Sequence, residues 1–193
     1  MKKTVVLLTA VMMIFSLSGC GGKQNDGQSG QEGGESQYAD ALEVMNEVVK
    51  AYGEDELFAM YGGDLENAVM DAPGKFDISK TEELENAYGL PENISSDIED
   101  AASMMHMMNA NTFSGIAYRL KEGTDMDAFV DSIKSCVLAK QWICGQPDTL
   151  VIINVDGRYV ITAFGAAELV EDFKSNALSA LSGAQVVTEA PIA

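Results

Sequence analysis

The chain has 193 residues, of which 30 are acidic and 12 are basic, giving a formal net charge of −18 at pH 7. Binding to nucleic acid or to anionic lipid headgroups needs clustered lysine and arginine, so this composition argues against both, and we expect no nucleic-acid partner. The scattered acidic residues fit a solubilising surface better than a calcium site, because the alternating-aspartate motif of a calcium-binding loop does not occur in the sequence.

The chain begins with two lysines and a short apolar run. Lys2 and Lys3 precede the uncharged residues 4–17, which are fewer than the roughly 20 that a membrane-spanning helix requires. This pattern is typical of a secretory signal peptide, here residues 1–19. The following Ser18-Gly19-Cys20 resembles the lipobox of bacterial lipoproteins. The resemblance implies cleavage before Cys20, a diacylglyceryl thioether on its sulfur and often acylation of its amino group. The alternative is an ordinary signal peptide with a chance cysteine.

A polar stretch follows Cys20. Residues 21–37 contain no large apolar side chain, so they cannot bury enough surface to offset the entropy of ordering, and we predict a flexible tether over 20–37. Two or three acyl chains anchor a protein stably. We therefore expect a protein held on the extracytoplasmic face of the cell membrane, with one domain over 38–183 and a loose tail over 184–193.

The first half of the domain has mainly helical patterns. Apolar residues at helical spacing precede Gly53, and the pairs Ser79 with Glu82 and Ser96 with Glu99 have the spacing of capping boxes. In the last of these segments the apolar stripe includes Ala101, Ala102 and Met105. Helices are therefore predicted over 41–52, 55–61, 65–72, 79–88 and 96–108.

The second half alternates strand and helix patterns. Its clearest local signal is the Asp156-Gly157 pair between two β-rich runs, which predicts a hairpin with a type I′ turn. A strand is predicted over 113–120, helices over 124–137 and 169–181, and the hairpin strands over 150–155 and 158–164.

These elements together predict an α+β fold in two layers. A small, mostly antiparallel three-stranded sheet, in the order strand-helix-strand-strand-helix, would carry helices over one face. The helical first half would pack around this sheet or against its end.

Three short segments support a resemblance to a known family. They are Tyr88-Gly89-Leu90-Pro91, Met107-Met108-Asn109 and Gly157-Arg158-Tyr159-Val160. In this order, behind a lipobox, they resemble the small lipoproteins of clostridial-type Gram-positive bacteria that carry a domain of unknown function. The resemblance covers roughly residues 84–181. It implies a cell-surface lipoprotein domain, and it transfers no activity and no site residue.

The run Met104-Met105-His106-Met107-Met108 is the unusual cluster of the sequence. Thioethers and imidazole suit Cu(I), so a copper site is one interpretation. Methionine also fills cores and adaptable binding surfaces, and we favour core packing for most of this run. Met104, His106, Met107 and Trp142 are the candidate contacts with a partner or a metal, and Trp142 has the alternative of a core residue at a helix end.

The cysteines beyond Cys20 leave two alternatives. Cys144 follows Cys136 by eight residues, which is about 12 Å along a continuous helix and exceeds the roughly 7 Å between bridged Cα atoms. A disulfide would require the helix to end near Gln141 and the chain to fold back. Two buried thiols are the favoured alternative.

The sequence predicts a binding or interaction module. It contains no Gly-x-Ser-x-Gly, Ser-x-x-Lys or phosphate-binding loop, and its single histidine, His106, cannot supply paired zinc ligands. We therefore expect that the protein has no enzymatic activity and no cofactor. Its candidate partner is an envelope protein. The alternatives are a carrier of copper or of a small ligand and, third, an envelope enzyme with converging carboxylates.

Replacement of Cys20 tests the anchor. The variant Cys20→Ala has no thiol to lipidate, so we expect it to lose the label when cells are grown with radiolabelled palmitate, as measured after immunoprecipitation. The variant Cys136→Ala is the control and should keep the label. Equal labelling of the two variants would contradict lipidation at Cys20.

Overall fold

A computed structural model describes residues 36–143 and 145–193. In this part of the chain, four α-helices accompany one eight-stranded sheet, and every pair of neighbouring strands is antiparallel. The helices are α1 (Ala41–Lys50), α2 (Thr81–Tyr88), α3 (Met126–Ala139) and α4 (Ala167–Ala180). The strands are β1 (Met60–Gly62), β2 (Val69–Met70), β3 (Gly74–Phe76), β4 (Ile98–His106), β5 (Phe113–Leu120), β6 (Thr149–Val155), β7 (Tyr159–Gly165) and β8 (Ala184–Pro191).

Helices cover both faces of the sheet. The strand order is β2-β1-β4-β5-β7-β6-β8, and β3 pairs with β4 on the edge that β1 also uses. Helices α1 and α4 share one core with Val151, Ile153 and Ile161. Helices α2 and α3 share the other core with residues of the same strands that point the opposite way, such as Leu150 and Ile152. The described part of the chain therefore has three layers.

The predicted fold class is wrong. We expected two layers, with a small three-stranded sheet behind a helical first half, and the structure has a large antiparallel sheet with a helical layer on each side. The physical reason is double-sided burial. A strand whose two faces are both covered needs no polar side chain on alternate positions, so it lacks the period of two that identifies a half-exposed strand.

Strand β4 shows this effect most clearly. A helix was predicted over 96–108, but Ile98–His106 forms the longest strand of the sheet and pairs along its length with β5. Ser96 lies in a short 3₁₀ helix, Glu92–Asp97, and caps nothing. Alanine and methionine favour helices, and here the pairing with β3 and β5 overrides that local preference.

Three further segments also differ from the prediction. The segments predicted as short helices over 55–61 and 65–72 contribute β1 and β2, and the predicted loose tail over 184–193 contains β8 at the sheet edge. Strand β8 is mostly exposed, but it pairs with β6 from Val155↔Ala184 to Thr149↔Pro191. These segments gain order from backbone hydrogen bonds to distant strands, which their own sequences do not indicate.

The second half of the chain confirms its local predictions. The predicted strand over 113–120 is β5, the two predicted helices are α3 and α4, and the hairpin is β6 and β7. Asp156 and Gly157 have φ values of 51° and 77°, the positive values that a type I′ turn requires. Asp125 caps α3, since its carboxylate accepts a hydrogen bond from the Ala128 amide.

Two glycines allow β1 and β3 to meet on one edge of β4. A Cβ atom on Gly62 would lie 2.1 Å from the Gly74 nitrogen and 2.4 Å from the Ser103 carbonyl oxygen. The buried Ser103 hydroxyl then accepts from the Gly63 amide at 3.0 Å and donates to its carbonyl at 3.2 Å. The segment between β1 and β3 is thus fixed to the centre of β4.

Substitution of Gly62 tests this contact. The variant Gly62→Ala places a methyl group against backbone atoms that cannot move independently, so we expect unfolding free energy to fall by about 1–3 kcal/mol in equilibrium urea denaturation. The control is Gly53→Ala, whose Cβ would meet only the flexible Glu56 side chain, at 3.1 Å. Equal stability of the two variants would show that the close approach is not a constraint.

Candidate functional site

A buried aspartate fixes the loop that follows β1. Asp64 is 1% exposed. Its Oδ1 accepts from Lys80 Nζ at 2.5 Å and from the Glu66 amide at 3.0 Å, and its two oxygens each accept from Asn67 Nδ2 at 3.1 Å. Its Oδ2 also accepts from the Asp77 amide at 3.3 Å. Loop residues 63–68 are therefore connected to β3 and to the N-terminal end of α2.

The hydrogen bonds determine the charge state of this carboxylate. Burial raises the pKa of Asp64, but the ammonium of Lys80, the amide of Asn67 and the two backbone donors outweigh it and hold the pKa well below the usual range. The same contact raises the pKa of Lys80. The pair is thus ionised at neutral pH and acts as a structural clamp.

A cavity of about 270 Å³ lies between this loop, one face of α2 and the end of β4. Helix α2 contributes Glu83, Asn86 and Ala87, which share a face because residues three and four apart are neighbours on a helix. Most of the remaining wall is apolar. The cavity is lined by Tyr61, Gly63, Leu65, Glu83, Asn86, Ala87, Tyr88, Met105 and Ala110.

The polar groups of this cavity are held in place. Glu83 Oε1 accepts from the Leu65 amide at 3.0 Å, and the Tyr61 hydroxyl donates to Met105 Sδ at 2.8 Å. Burial raises the pKa of both Tyr61 and Tyr88, and the negative charge of Glu83 raises each further. Both tyrosines therefore remain protonated over the physiological range, and Glu83 lies within electrostatic reach of both hydroxyls.

An open groove of about 590 Å³ adjoins the cavity. The two share Leu65, Glu83 and Asn86, and the groove continues along the first turn of α2 past Lys80 and Glu82. Asn86 also contacts the residue that follows α3. Its carbonyl accepts from the ammonium of Lys140, which lies 4.7 Å from the centre of the Trp142 ring. The apolar cavity thus opens into a more polar groove.

The structure separates the residues of the methionine–histidine run. Because neighbouring side chains of a strand point to opposite faces, Met104 lies in the core beneath α1 and α4, and Met105 lies in the other core. His106 stacks on Phe58 with ring centres 5.3 Å apart, and its Nδ1 accepts from the Met108 amide. Met105 therefore points away from Met104 and His106, so the run does not present all of its sulfur and nitrogen donors on one face of the sheet.

The other candidate residues have different surroundings. Trp142 is partly buried against Phe164, with ring centres 5.2 Å apart, whereas Met107 is 41% exposed. Cys136 is partly buried on α3 as a free thiol. The predicted signal peptide, the lipidated Cys20 and the possible partner Cys144 lie outside the described residues.

Sequence reasoning missed the residues that form the cavity. Tyr61, Leu65 and Glu83 occupy segments interpreted as three separate helices, and nothing in their spacing brings them together. Gly62-Gly63-Asp64 was the available signal, since paired glycines followed by an aspartate are typical of a tight turn with side-chain bonds to its own backbone.

Comparison with known proteins gives no relative: no protein-family model, no curated protein and no solved structure matches this chain. Within residues 36–143 and 145–193, no three His, Cys, Asp or Glu side chains are grouped as a metal site requires. In the same residues no helix is long and apolar enough to cross a membrane.

Replacement of Asp64 tests the clamp. The variant Asp64→Asn has no charge for Lys80 and presents an amide to other donors, so we expect unfolding free energy to fall by about 2–3 kcal/mol at pH 7. The control Glu66→Gln affects an exposed partner of Lys80 and should change stability by less than about 1 kcal/mol.

The contribution of the Asp64–Lys80 clamp to stability changes with pH in a defined direction. The folded pKa of Asp64 lies below its unfolded value of 3.8, so the contribution of the clamp is fully present above about pH 5 and is lost as the pH falls through the folded pKa. The stability difference between the parent and Asp64→Asn should therefore narrow in acid, as urea denaturation at several pH values would measure. A constant difference from pH 7 to pH 3 would contradict a low pKa.

Proposed function

We propose that this protein is a lipid-anchored, extracytoplasmic binding protein whose site for a small molecule is the cavity beside α2. The lipobox-like Ser18-Gly19-Cys20 and the polar tether support the location. The cavity is the observation that supports binding. The proposal also includes two predictions from the sequence. The protein belongs to the lipoproteins that its sequence resembles, and it has no enzymatic activity.

The size and wall chemistry of the cavity fit a small ligand. A volume of about 270 Å³ lies just below the roughly 300–1,000 Å³ that is typical of small-molecule pockets, so it fits a small ligand. Ligand sites typically combine apolar walls with a small number of positioned polar groups. Here the walls include Ala87, Met105 and Ala110, and Glu83 is the positioned polar group.

The cavity and the first described residues lie at opposite ends of the sheet. The described chain enters beside the β6–β7 turn, where the Ser36 hydroxyl donates to Asp156 Oδ2 at 2.6 Å. That turn and the last residues of β4 are at opposite ends of the sheet, because β4 pairs with β5 and β5 with β7 in antiparallel register. Met105 and Ala110, which line the cavity, lie at or beyond the far end of β4, so the cavity and Ser36 are at opposite ends of the sheet.

The chemistry of the lining supports binding rather than catalysis. Among the described residues that line the cavity, Glu83 carries the single carboxylate, and His106 is not part of the wall. General acid–base catalysis typically needs a second positioned group within hydrogen-bond reach of the substrate. The Tyr61 hydroxyl is engaged with Met105.

Docking of an envelope protein is a second candidate function. Met107, Met108 and Ile143 are 41%, 85% and 81% exposed. The loops that carry them are in contact, because Asn111 Nδ2 donates to the Ile143 carbonyl at 3.1 Å. This exposed apolar surface also lies at the end of the sheet far from Ser36. A photo-crosslinker at Met108, compared with one at Leu178 on α4, would show whether that surface is the one a partner contacts in cells.

Filling the cavity tests the proposed function. A thermal-shift screen of small polar and amphipathic metabolites should find a ligand that raises the unfolding temperature, since a ligand at 100 times its Kd adds about 2.7 kcal/mol of stability. The variant Ala87→Leu places a larger side chain in the cavity and should abolish this shift. The control Ala128→Leu makes the same change on the exposed face of α3 and should retain it.

Two outcomes would contradict the proposal. Either no compound stabilises the parent protein, or the stabilising compound acts equally on Ala87→Leu and Ala128→Leu, which would place its site elsewhere. A circular-dichroism spectrum and an unfolding temperature without ligand confirm that each variant is folded before the comparison.

A further inference from the structure

We infer that the cavity selects a small organic ammonium ion with apolar substituents. The inference rests on the proposed function and adds the chemical class of the ligand. Three side chains carry it: the carboxylate of Glu83 and the rings of Tyr61 and Tyr88, which line the same 270 Å³ space. A carboxylate beside tyrosine rings in an otherwise apolar pocket is the chemistry that recognises a substituted ammonium group.

Glu83 is positioned to receive a cation. Among the described residues it is the one charged side chain that lines the inner cavity, and it is partly buried. Its Oε1 is held by the Leu65 amide at 3.0 Å, and no donor in the described part of the chain binds Oε2. A ligand ammonium near Oε2 would gain a charge-assisted interaction in a partly desolvated site.

The tyrosine rings supply the second half of the site. The Tyr61 hydroxyl already donates to Met105 Sδ, so this residue offers its ring rather than a free hydroxyl to a ligand. Tyr88 is 2% exposed and is fixed edge-on against Phe76, with ring centres 5.6 Å apart. The negative face of an aromatic ring attracts a cation within about 6 Å of its centre.

The surrounding charges favour a cation over an anion. The nearby ammonium of Lys80 is paired with Asp64 at 2.5 Å and with Glu66 at 3.1 Å. Glu82 and Glu83 stand along the adjoining groove. An anionic ligand would enter against these carboxylates, whereas an organic cation would be attracted along the groove.

A bare metal ion does not fit the same position. Calcium takes six or more oxygen ligands, and softer metals take clustered nitrogen and sulfur donors. In the described residues no three acidic, histidine or cysteine side chains meet, and the lining of the cavity includes the hydrocarbon of Leu65, Ala87 and Ala110. An ammonium with methyl or aryl substituents needs one counter-charge and apolar walls, which the cavity has.

Matched pairs of ligands test the inference on the full lipidated protein in detergent. Choline and phenethylammonium are compared by isothermal titration calorimetry with neutral molecules of the same shape, 3,3-dimethyl-1-butanol and 2-phenylethanol. We expect at least one cation to bind about tenfold more tightly than its neutral partner. The variant Glu83→Gln retains an acceptor for the Leu65 amide, and it should lose that preference.

The control variant is Glu82→Gln, which removes an equal charge from the neighbouring position in the open groove and should keep most of the preference. The inference is overturned if neither cation binds more tightly than its neutral partner, or if Glu83→Gln and Glu82→Gln behave alike. A neutral or anionic ligand that requires the cavity, as shown by its loss in Ala87→Leu, would overturn the ligand class and leave the proposed function standing. The absence of any cavity ligand would remove both.

Discussion

The candidate site depends on two backbones sharing one edge of β4. Gly62 and Gly74 approach so closely that neither position has room for a Cβ atom, and the Ser103 hydroxyl binds both backbone groups of the next residue, Gly63. The loop that follows Gly62 is then fixed by the hydrogen bonds of Asp64 to Lys80 and to the Asp77 amide. Because a buried carboxylate is stable only with its full set of donors, the loop has little freedom to move away from α2.

The same clamp fixes two walls of the cavity to each other. Lys80 directly precedes α2 and binds Asp64 in the loop after β1. Helix α2 carries Glu83 on the face toward Leu65, and the Glu83 carboxylate accepts a hydrogen bond from the Leu65 amide. The loop and the helix are therefore held in fixed positions relative to each other, and the pocket is already formed before a ligand binds. A preformed site loses little entropy when it binds, which favours recognition of a small molecule.

Local elements of the second half were predictable because each is specified by its own residues. Asp156-Gly157 requires positive φ at both positions, and the stripe of α3, with Phe129 and Ile133, has a clear helical period. Strand β4 was not predictable, since both of its faces are buried and its alanines and methionines favour a helix in isolation. The cavity was unpredictable for a related reason. Tyr61, Glu83 and Met105 belong to three elements that are distant in the chain and come together only in the folded structure.

The sequence by itself determined the acidic character of the chain, the lipobox-like motif at Cys20, the polar composition of residues 21–37 and the hairpin around Asp156. These features depend on composition or on residues next to each other in the chain. The tertiary structure alone decided that the sheet has eight strands with a helical layer on each side, and that Met104 and Met105 lie in different cores. It also decided which carboxylate faces a cavity. Pairing between distant strands and burial on two faces are cooperative properties of the whole chain, so no local pattern encodes them.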